Sequence, residues 1–245
     1  MSKIDELARI IDVSSNIVFF GGAGMSTESG IPDFRSAGGI YNQKLDKRFS
    51  PEEMVSHTFL MSHPEEFFEF LFNKMIFLDA EPNNGHEALA ELESKGKLHA
   101  VVTQNIDGLH QKAGSENVYE LHGTIMRWYC MDCSISYSLD YALQEHGKGA
   151  IPRCTHCGGI VRPDVVLYEE ALNELVIENA VRAIRNADTI IVGGTSLAVY
   201  PAAGLLDYFR GDNLVVINKT ATKADTSANL LIREPIGKVL SAAVR

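Results

Sequence analysis

Asn16-Ile17-Val18-Phe19-Phe20-Gly21-Gly22-Ala23-Gly24 is the stretch from which the rest of the chain is read. A short apolar run that ends in glycines predicts a buried strand feeding a tight turn, where missing side chains let backbone N–H groups approach a ligand. Strand, glycine turn and helix together open a nucleotide-binding βαβ unit. Upstream, Ile4, Leu7, Ala8 and Ile11 share one face of a helix over 3–12. Downstream the alternation returns: a helix over 86–95 leads into a strand over 98–103, and a helix over 172–185 leads into a strand over 189–193. A helix over 201–209, a strand over 214–218 and a terminal helix over 236–244 follow. Strands alternating with helices predict an α/β fold, a doubly wound, Rossmann-like parallel sheet with helices on both faces.

Two stretches interrupt that rhythm. Residues 37–82 begin as a loop around Gly38-Gly39 and continue as helices from Pro51 to about Leu60 and from Pro64 to about Leu78, the second rich in phenylalanine. Residues 124–161 hold all the cysteine of the chain and several glycines, with a strand signal at 126–129. The expected division is one domain, with a core of 1–36, 83–123 and 162–245, a helical insertion of 37–82 and a small module of 124–161.

Cys130, Cys133, Cys154 and Cys157 form two C-x-x-C pairs separated by residues 134–153. That is the spacing of a structural four-cysteine zinc ribbon, in which each pair offers two thiolates to one tetrahedral ion. The spacer is expected to supply a β-hairpin that brings the pairs together. Four thiolates leave no open coordination position, so one Zn2+ per chain would be structural. Two redox pairs, or buried unliganded thiols, are the alternatives.

With 245 residues, 45% hydrophobic and 22% charged, the chain can bury one sizeable core. Its formal charge of −10, with no long basic run, argues against direct nucleic-acid binding and suits a lysine-rich peptide partner. No apolar run is long enough for a bilayer, so no membrane partner is expected. The acidic start, Asp5-Glu6, does not read as a targeting peptide, and a cytoplasmic protein is the expectation.

The glycine turn departs from a dehydrogenase in two places. Thr27 occupies the third glycine position of G-x-G-x-x-G, and no acidic residue ends a second strand some twenty residues on, where the chain has the 37–47 loop. Other blocks decide the matter. Gly22-Ala23-Gly24-Met25-Ser26-Thr27-Glu28-Ser29-Gly30-Ile31-Pro32-Asp33-Phe34-Arg35 resembles the signature of the sirtuin family almost position for position. So do Thr103-Gln104-Asn105-Ile106-Asp107-Gly108-Leu109-His110, Glu120-Leu121-His122-Gly123, the cysteine module, Gly194-Thr195-Ser196-Leu197-Ala198-Val199-Tyr200-Pro201 and Ile217-Asn218. The blocks stand in family order across residues 20–220.

That resemblance implies an NAD-dependent protein-lysine deacetylase acting on acetyl-lysine proteins or peptides, with NAD as co-substrate. In the family the acyl oxygen attacks ribose C1′, nicotinamide departs through an oxocarbenium-like state, and a histidine takes a proton from the ribose hydroxyls. The resemblance gives that role to His122, and imidazole suits it because it titrates near neutral pH. Gln104 and Asn105 would address the nicotinamide ribose and a water, and Ile106 and Asp107 the carboxamide. Gly22, Ala23, Gly24, Thr27 and Asp33 belong to the cofactor loop, on which Phe34 would shield C1′ and Arg35 contact phosphates or ribose. Gly194, Thr195, Ser196 and Asn218 would hold the phosphate and the adenosine ribose. Asp107 could equally cap a helix, and His110 is expected to pack and hydrogen-bond within its own.

Residues 162–170 resemble the segment that pairs with substrate backbone, with Val166 and Tyr168 lining the acyl-lysine tunnel. Here Glu169 stands where the family usually has glycine. A second departure bears on acyl choice. Sirtuins that prefer acidic acyl groups carry a Tyr-x-x-Arg pair where this chain aligns Leu71 and Lys74, which favours an uncharged acyl group. An ADP-ribosyltransferase, a non-enzymatic NAD-sensing module and a nicotinamide dehydrogenase are the rival readings. An intact His122, the retained Asn105 and Asp107, and the missing third glycine count against them in turn.

Overall fold

The computed structural model describes residues 2–34, 38–40 and 48–244. The chain opens with α1 (Lys3–Val13) and β1 (Ile17–Gly21), then α2 (Pro51–Met54), α3 (His57–Ser62) and α4 (Pro64–Phe70). After α5 (Asn84–Ser94) come β2 (Leu98–Thr103), α6 (Leu109–Lys112), β3 (Val118–Glu120), β4 (Gly123–Cys130), β5 (Ser136–Ser138) and α7 (Leu139–Gly147). The remainder is β6 (Val161–Val165), α8 (Glu174–Asn186), β7 (Thr189–Gly193), β8 (Asn213–Ile217), β9 (Leu230–Ile232) and α9 (Ile236–Ala243).

Six strands form one sheet in the order β3-β2-β1-β7-β8-β9, all neighbours parallel. Chain order thus reverses at β1 and β7, the crevice where open α/β sheets bind ligands. Alternate residues of β1 explain the two layers. Ile17 and Phe19 point into a core with Leu7 and Ile11 of α1, Leu89 and Leu92 of α5 and Val239 and Leu240 of α9. Val18 and Phe20 point the other way, into a core with Ala180 and Ile184 of α8 and Ala202, Ala203 and Leu205. Helices on both faces leave every residue of β1 buried, which is why the strand reads as an unbroken apolar run. Local caps agree: Ser2 and Asp5 form a capping box on α1, and Asn173 caps α8, each cap contributing about 1 kcal/mol.

β4 joins β5 and β6 in a separate antiparallel sheet. The two interruptions of the core are packed on each other. Phe67, Phe68, Phe70, Leu71 and Phe72 share one apolar cluster with Ile125, Trp128, Cys130 and Val161. The phenylalanine-rich helix therefore buries its face against the cysteine module.

Several expectations need correction. The helix over 51–60 is two helices, because Ser56 leaves helical geometry, caps α3 through its hydroxyl and bridges to Tyr168. The helix over 64–78 ends in a wider π-helical turn, Leu71–Met75, and Ile76 is already extended. Residues 202–208 form a 3-10 helix. The first cysteine pair sits at the turn of the β4–β5 hairpin, so the spacer supplies only β5 and then turns into α7. His110 packs on Phe19 and His86, yet neither of its ring nitrogens has a hydrogen-bond partner. Burial pushes His110 down to about 3 and His86 to about 4, so both are neutral packing residues. Among the described residues no helix is long and apolar enough to cross a membrane.

Candidate active site and metal centre

In-register pairing sets Gly21, Thr103, Gly193 and Ile217 side by side at the carboxyl ends of β1, β2, β7 and β8. The loops that follow, starting at Gly22, Gln104, Gly194 and Asn218, therefore converge on one edge. Most residues singled out from the sequence lie on those four loops. Arg35 lies outside the described residues.

The loop after β1 makes two 3-10 turns, Ala23–Met25 and Thr27–Ser29. Its glycines first serve close packing. The Gly24 N–H donates to the Gly194 carbonyl at 2.7 Å, and a Cβ on Gly24 would come within 2.8 Å of Gly194. That N–H is spent inside the protein, and the missing Cβ at Gly24 serves the close approach of Gly194. Thr27 turns its hydroxyl to the Gly24 carbonyl at 3.0 Å. Asp33 accepts from the Ile40 N–H through its carbonyl, and half-buried Phe34 leans on the cluster shared by the two insertions.

At the centre lies a residue whose role the sequence reading passed over, Ser26. It is 1% exposed, donates to Asp107 Oδ2 at 2.6 Å and accepts from Asn105 Nδ2 at 3.0 Å. A hydroxyl inside an otherwise glycine-rich turn was the available signal. Burial pushes the Asp107 carboxyl above its ordinary value, and the bonds from Ser26 and the Leu109 N–H pull it back. Asp107 Oδ1 takes that Leu109 bond at 2.9 Å from one residue before the cap of α6, which is Gly108 and not Asp107, while Oδ2 faces Ser26. Ile106 hands its carbonyl to the Ile125 N–H at 3.0 Å, which ties this loop to β4.

Gln104 links three parts of the edge. Its side-chain amide donates to Thr195 Oγ1 at 3.0 Å, and its carbonyl meets His122 Nδ1 at 3.0 Å. A carbonyl can only accept, so Nδ1 carries the proton and Nε2 keeps its lone pair. Burial holds His122 below its ordinary value, keeping the imidazole neutral. The following Gly123 has φ 72°, and any Cβ there would lie 2.0 Å from the Asp164 carbonyl. The His122 carbonyl accepts from the Val166 N–H at 2.9 Å, joining the histidine to the segment that carries Val166 and Tyr168. Across the edge Thr195 is buried, Ser196 is exposed, and Asn218 holds the Thr220 carbonyl at 2.9 Å. Hydroxyl, amide and carboxylate groups gathered at one sheet edge are of the kinds that hydrogen-bond the hydroxyls and carboxamide of a nicotinamide dinucleotide.

All four cysteine sulfurs lie within 4.8 Å of one another, and no disulfide joins them. The two knuckles repeat one turn. Ser134 N–H donates to the Cys130 carbonyl and Gly158 N–H to the Cys154 carbonyl, each at 2.9 Å, with Ser134 and Gly158 both at positive φ. Sulfur pairs 3.4–3.5 Å apart are close to the edges of a tetrahedron about a Zn2+ bonded at roughly 2.3 Å. The donor set fits that ion.

The model of the Sir2 family matches residues 22–201. An NAD-dependent protein deacetylase of Clostridium acetobutylicum is 59% identical over 244 residues, 100% of this chain and 99% of its own. That of Clostridium perfringens is 59% identical over 243 residues, 99% and 98% of the two chains. Among solved structures, a Sir2 enzyme with a deacetylated p53 peptide and 3′-O-acetyl ADP ribose superposes with a TM-score of 0.91 at 37% identity, covering 98% of this chain and 97% of that one. A Sir2 protein bound to a propionylated peptide gives 0.86 at 36%, covering 98% and 96%. A match of this extent along nearly the whole length admits one assignment: this chain belongs to the Sir2 family, the sirtuins, in its bacterial form.

Proposed function

We propose that the chain is an NAD-dependent protein-lysine deacetylase: from an acetyl-lysine side chain, NAD and water it makes free lysine, nicotinamide and 2′-O-acetyl-ADP-ribose. The observation that carries the assignment to residues is the His122 bond to the Gln104 carbonyl, which leaves Nε2 as the basic nitrogen. Bacterial relatives 59% identical over their full length carry the name NAD-dependent protein deacetylase, and peptide-bound Sir2 structures share the fold.

NAD supplies an electrophilic ribose carbon, nicotinamide as leaving group and a 2′-hydroxyl that receives the acyl group. The chain's own residues do the rest. Ser26 holds Asn105 and Asp107 in one orientation, Asp107 and the Ile106 backbone receive the carboxamide, and Gln104 and Asn105 address the nicotinamide ribose. Phe34, with Arg35 beside it in sequence, keeps water from the ribose carbon. Ala23, Thr27, Thr195, Ser196 and Asn218 take the phosphates and adenosine ribose. His122 Nε2 accepts the hydroxyl proton. Val166 and Tyr168 line the passage for the acyl-lysine. One Zn2+ on Cys130, Cys133, Cys154 and Cys157 holds the small module together and takes no part in the reaction. The protein works in the cytoplasm on acetylated proteins, without contact with nucleic acid.

The test is direct. Protein incubated with NAD and an acetyl-lysine peptide should yield nicotinamide, deacetylated peptide and acetyl-ADP-ribose in equal amounts by mass spectrometry. ADP-ribose attached to protein with the acetyl group retained would point to a transferase instead, and no turnover at all would defeat the assignment.

A further inference from the structure

Glu169 has a backbone φ of 77°, a left-handed conformation that residues with a long side chain seldom adopt. Its carboxylate is tethered. Oε2 accepts from the Thr58 backbone N–H at 2.9 Å and from the Thr58 hydroxyl at 2.7 Å. Those two bonds hold the Glu169 carboxyl below the usual carboxylate range.

The same two segments are joined on either side of this contact. Tyr168 N–H donates to the Val55 carbonyl at 3.0 Å, His57 N–H donates to the Tyr168 carbonyl at 3.1 Å, and Ser56 bridges Tyr168 in parallel. Glu170 braces the turn from beneath, through His57 Nδ1 at 2.9 Å, the Leu167 N–H at 2.8 Å and the buried Arg162 guanidinium at 2.5 and 3.1 Å. The peptide groups of Tyr168 and Leu167 are therefore all engaged. Among the described residues, the Val166 carbonyl and the N–H and C=O of Glu169 have no partner. The φ of Glu169 sets how its own N–H and C=O are disposed to each other.

We propose that Glu169 is a positioning residue for peptide substrate, its bonds to Thr58 holding the left-handed turn that presents the Glu169 N–H and C=O, beside the unpaired Val166 carbonyl, to an extended acyl-lysine chain. The inference rests on the deacetylase reading of the site. A glycine reaches this φ freely but also samples many others. The tethered glutamate is restricted to one, so less order has to be imposed when the peptide binds. The exposed Glu169 carboxylate is held by Thr58 and that of Glu170 by His57, Leu167 and Arg162, so recognition at this segment runs through backbone groups.

Two measurements on the intact zinc-bound protein test this. In steady-state kinetics, Glu169→Gly should raise KM for an acetyl-lysine peptide by roughly 3- to 10-fold, with kcat and the KM for NAD within about two-fold of wild type. Thr58→Val should give a smaller rise, and the double variant should be no worse than Glu169→Gly alone, because both changes break one contact. Glu169→Gln, which keeps an acceptor oxygen, should fall between wild type and Glu169→Gly. An unchanged peptide KM in Glu169→Gly, or an equal rise in the KM for NAD, would overturn the proposal. Hydrogen exchange of segments 55–58 and 166–170 in the free protein should be faster in Glu169→Gly, and unchanged exchange would likewise overturn it. Exchange needs no turnover. An inactive wild type would therefore count against the deacetylase reading, and the tether would still be decided by exchange.

Discussion

The Ser26 hydroxyl donates to Asp107 Oδ2 at 2.6 Å while the same oxygen accepts from Asn105 Nδ2 at 3.0 Å. One side chain from the β1 loop thus orients two side chains from the β2 loop, and the two loops meet in a buried place. Ser26→Ala removes the only hydroxyl in that relay and leaves a buried carboxylate short of a donor, a loss of about 1–3 kcal/mol. Activity as kcat/KM should fall by roughly 10-fold or more. Without the donor the Asp107 carboxyl rises further, since burial already pushes it up and the Ser26 bond pulls it down. If catalysis needs the carboxylate form, the acid limb of the pH profile should move to higher pH. A Ser26→Ala protein with wild-type kcat/KM across the acid limb would remove this relay from the mechanism.

The single tryptophan of the chain reports on the metal module. Trp128 is 1% exposed, lies two residues before Cys130 and stacks on Phe72 with ring centroids 5.7 Å apart. Purified reduced protein should contain one zinc per chain. Because apparent zinc binding is worth about 10–16 kcal/mol in small cysteine-rich modules, chelation or Cys154→Ala should loosen the module. Trp128 emission should then shift to longer wavelength as the packing against Phe72 opens, and activity should fall with it. Zinc-free protein with unchanged emission and full activity would show that the cysteines hold no structural ion.

How far the sequence could be read follows physical lines. β2 and β7 were legible to the residue, because their central runs, Ala100-Val101-Val102 and Ile190-Ile191-Val192, are buried on both faces and so must be apolar. β3 and β9 were not, since three-residue edge strands are too short to carry a pattern. α7 was hidden by the reading of its surroundings as a hairpin spacer, although Ser138 caps it through its hydroxyl. His122, Asn105 and Asp107 were singled out from their motifs, and the structure places Asn105 and Asp107 on the β2 loop and His122 against its Gln104 carbonyl. Ser26 was missed because its importance lies in a contact between loops 79 and 81 residues apart in sequence. The tether of Glu169 to Thr58 was missed for the same reason, spanning 111 residues.

Acyl selectivity follows from the helix that carries the phenylalanines. Leu71 is 2% exposed within the cluster shared by both insertions, so it is a core residue and offers nothing to a carboxylate. Lys74 carries a point charge and not the forked guanidinium that grips a carboxylate in two places. Deacetylation should exceed desuccinylation in kcat/KM, and a propionyl-lysine peptide should also be accepted. Matched acetyl, propionyl and succinyl peptides in one assay decide this, and faster removal of succinyl would overturn it.

His122 carries the mechanism, and its test separates chemistry from binding. The proton on Nδ1 is fixed by the Gln104 carbonyl at 3.0 Å, so Nε2 is the basic nitrogen. Burial lowers its affinity for a proton from the ordinary 6.5, the protonated form being the one that loses hydration. The neutral base therefore persists as pH falls through 6.5, and the acid limb of kcat/KM belonging to this group should lie below that value. His122→Ala should cost deacetylation at least roughly 10²-fold, the scale of a positioned general base. NAD binding should stay within a few-fold, because the phosphates and adenosine ribose are assigned to Ala23, Thr27, Thr195, Ser196 and Asn218. Nicotinamide exchange should suffer less than deacetylation, since attack on the ribose carbon comes before the hydroxyl gives up its proton. Asp107→Asn should show the opposite balance, losing nicotinamide exchange first. Paired exchange and deacetylation assays on the two variants settle the order, and a His122→Ala protein that deacetylates at the wild-type rate would end the assignment.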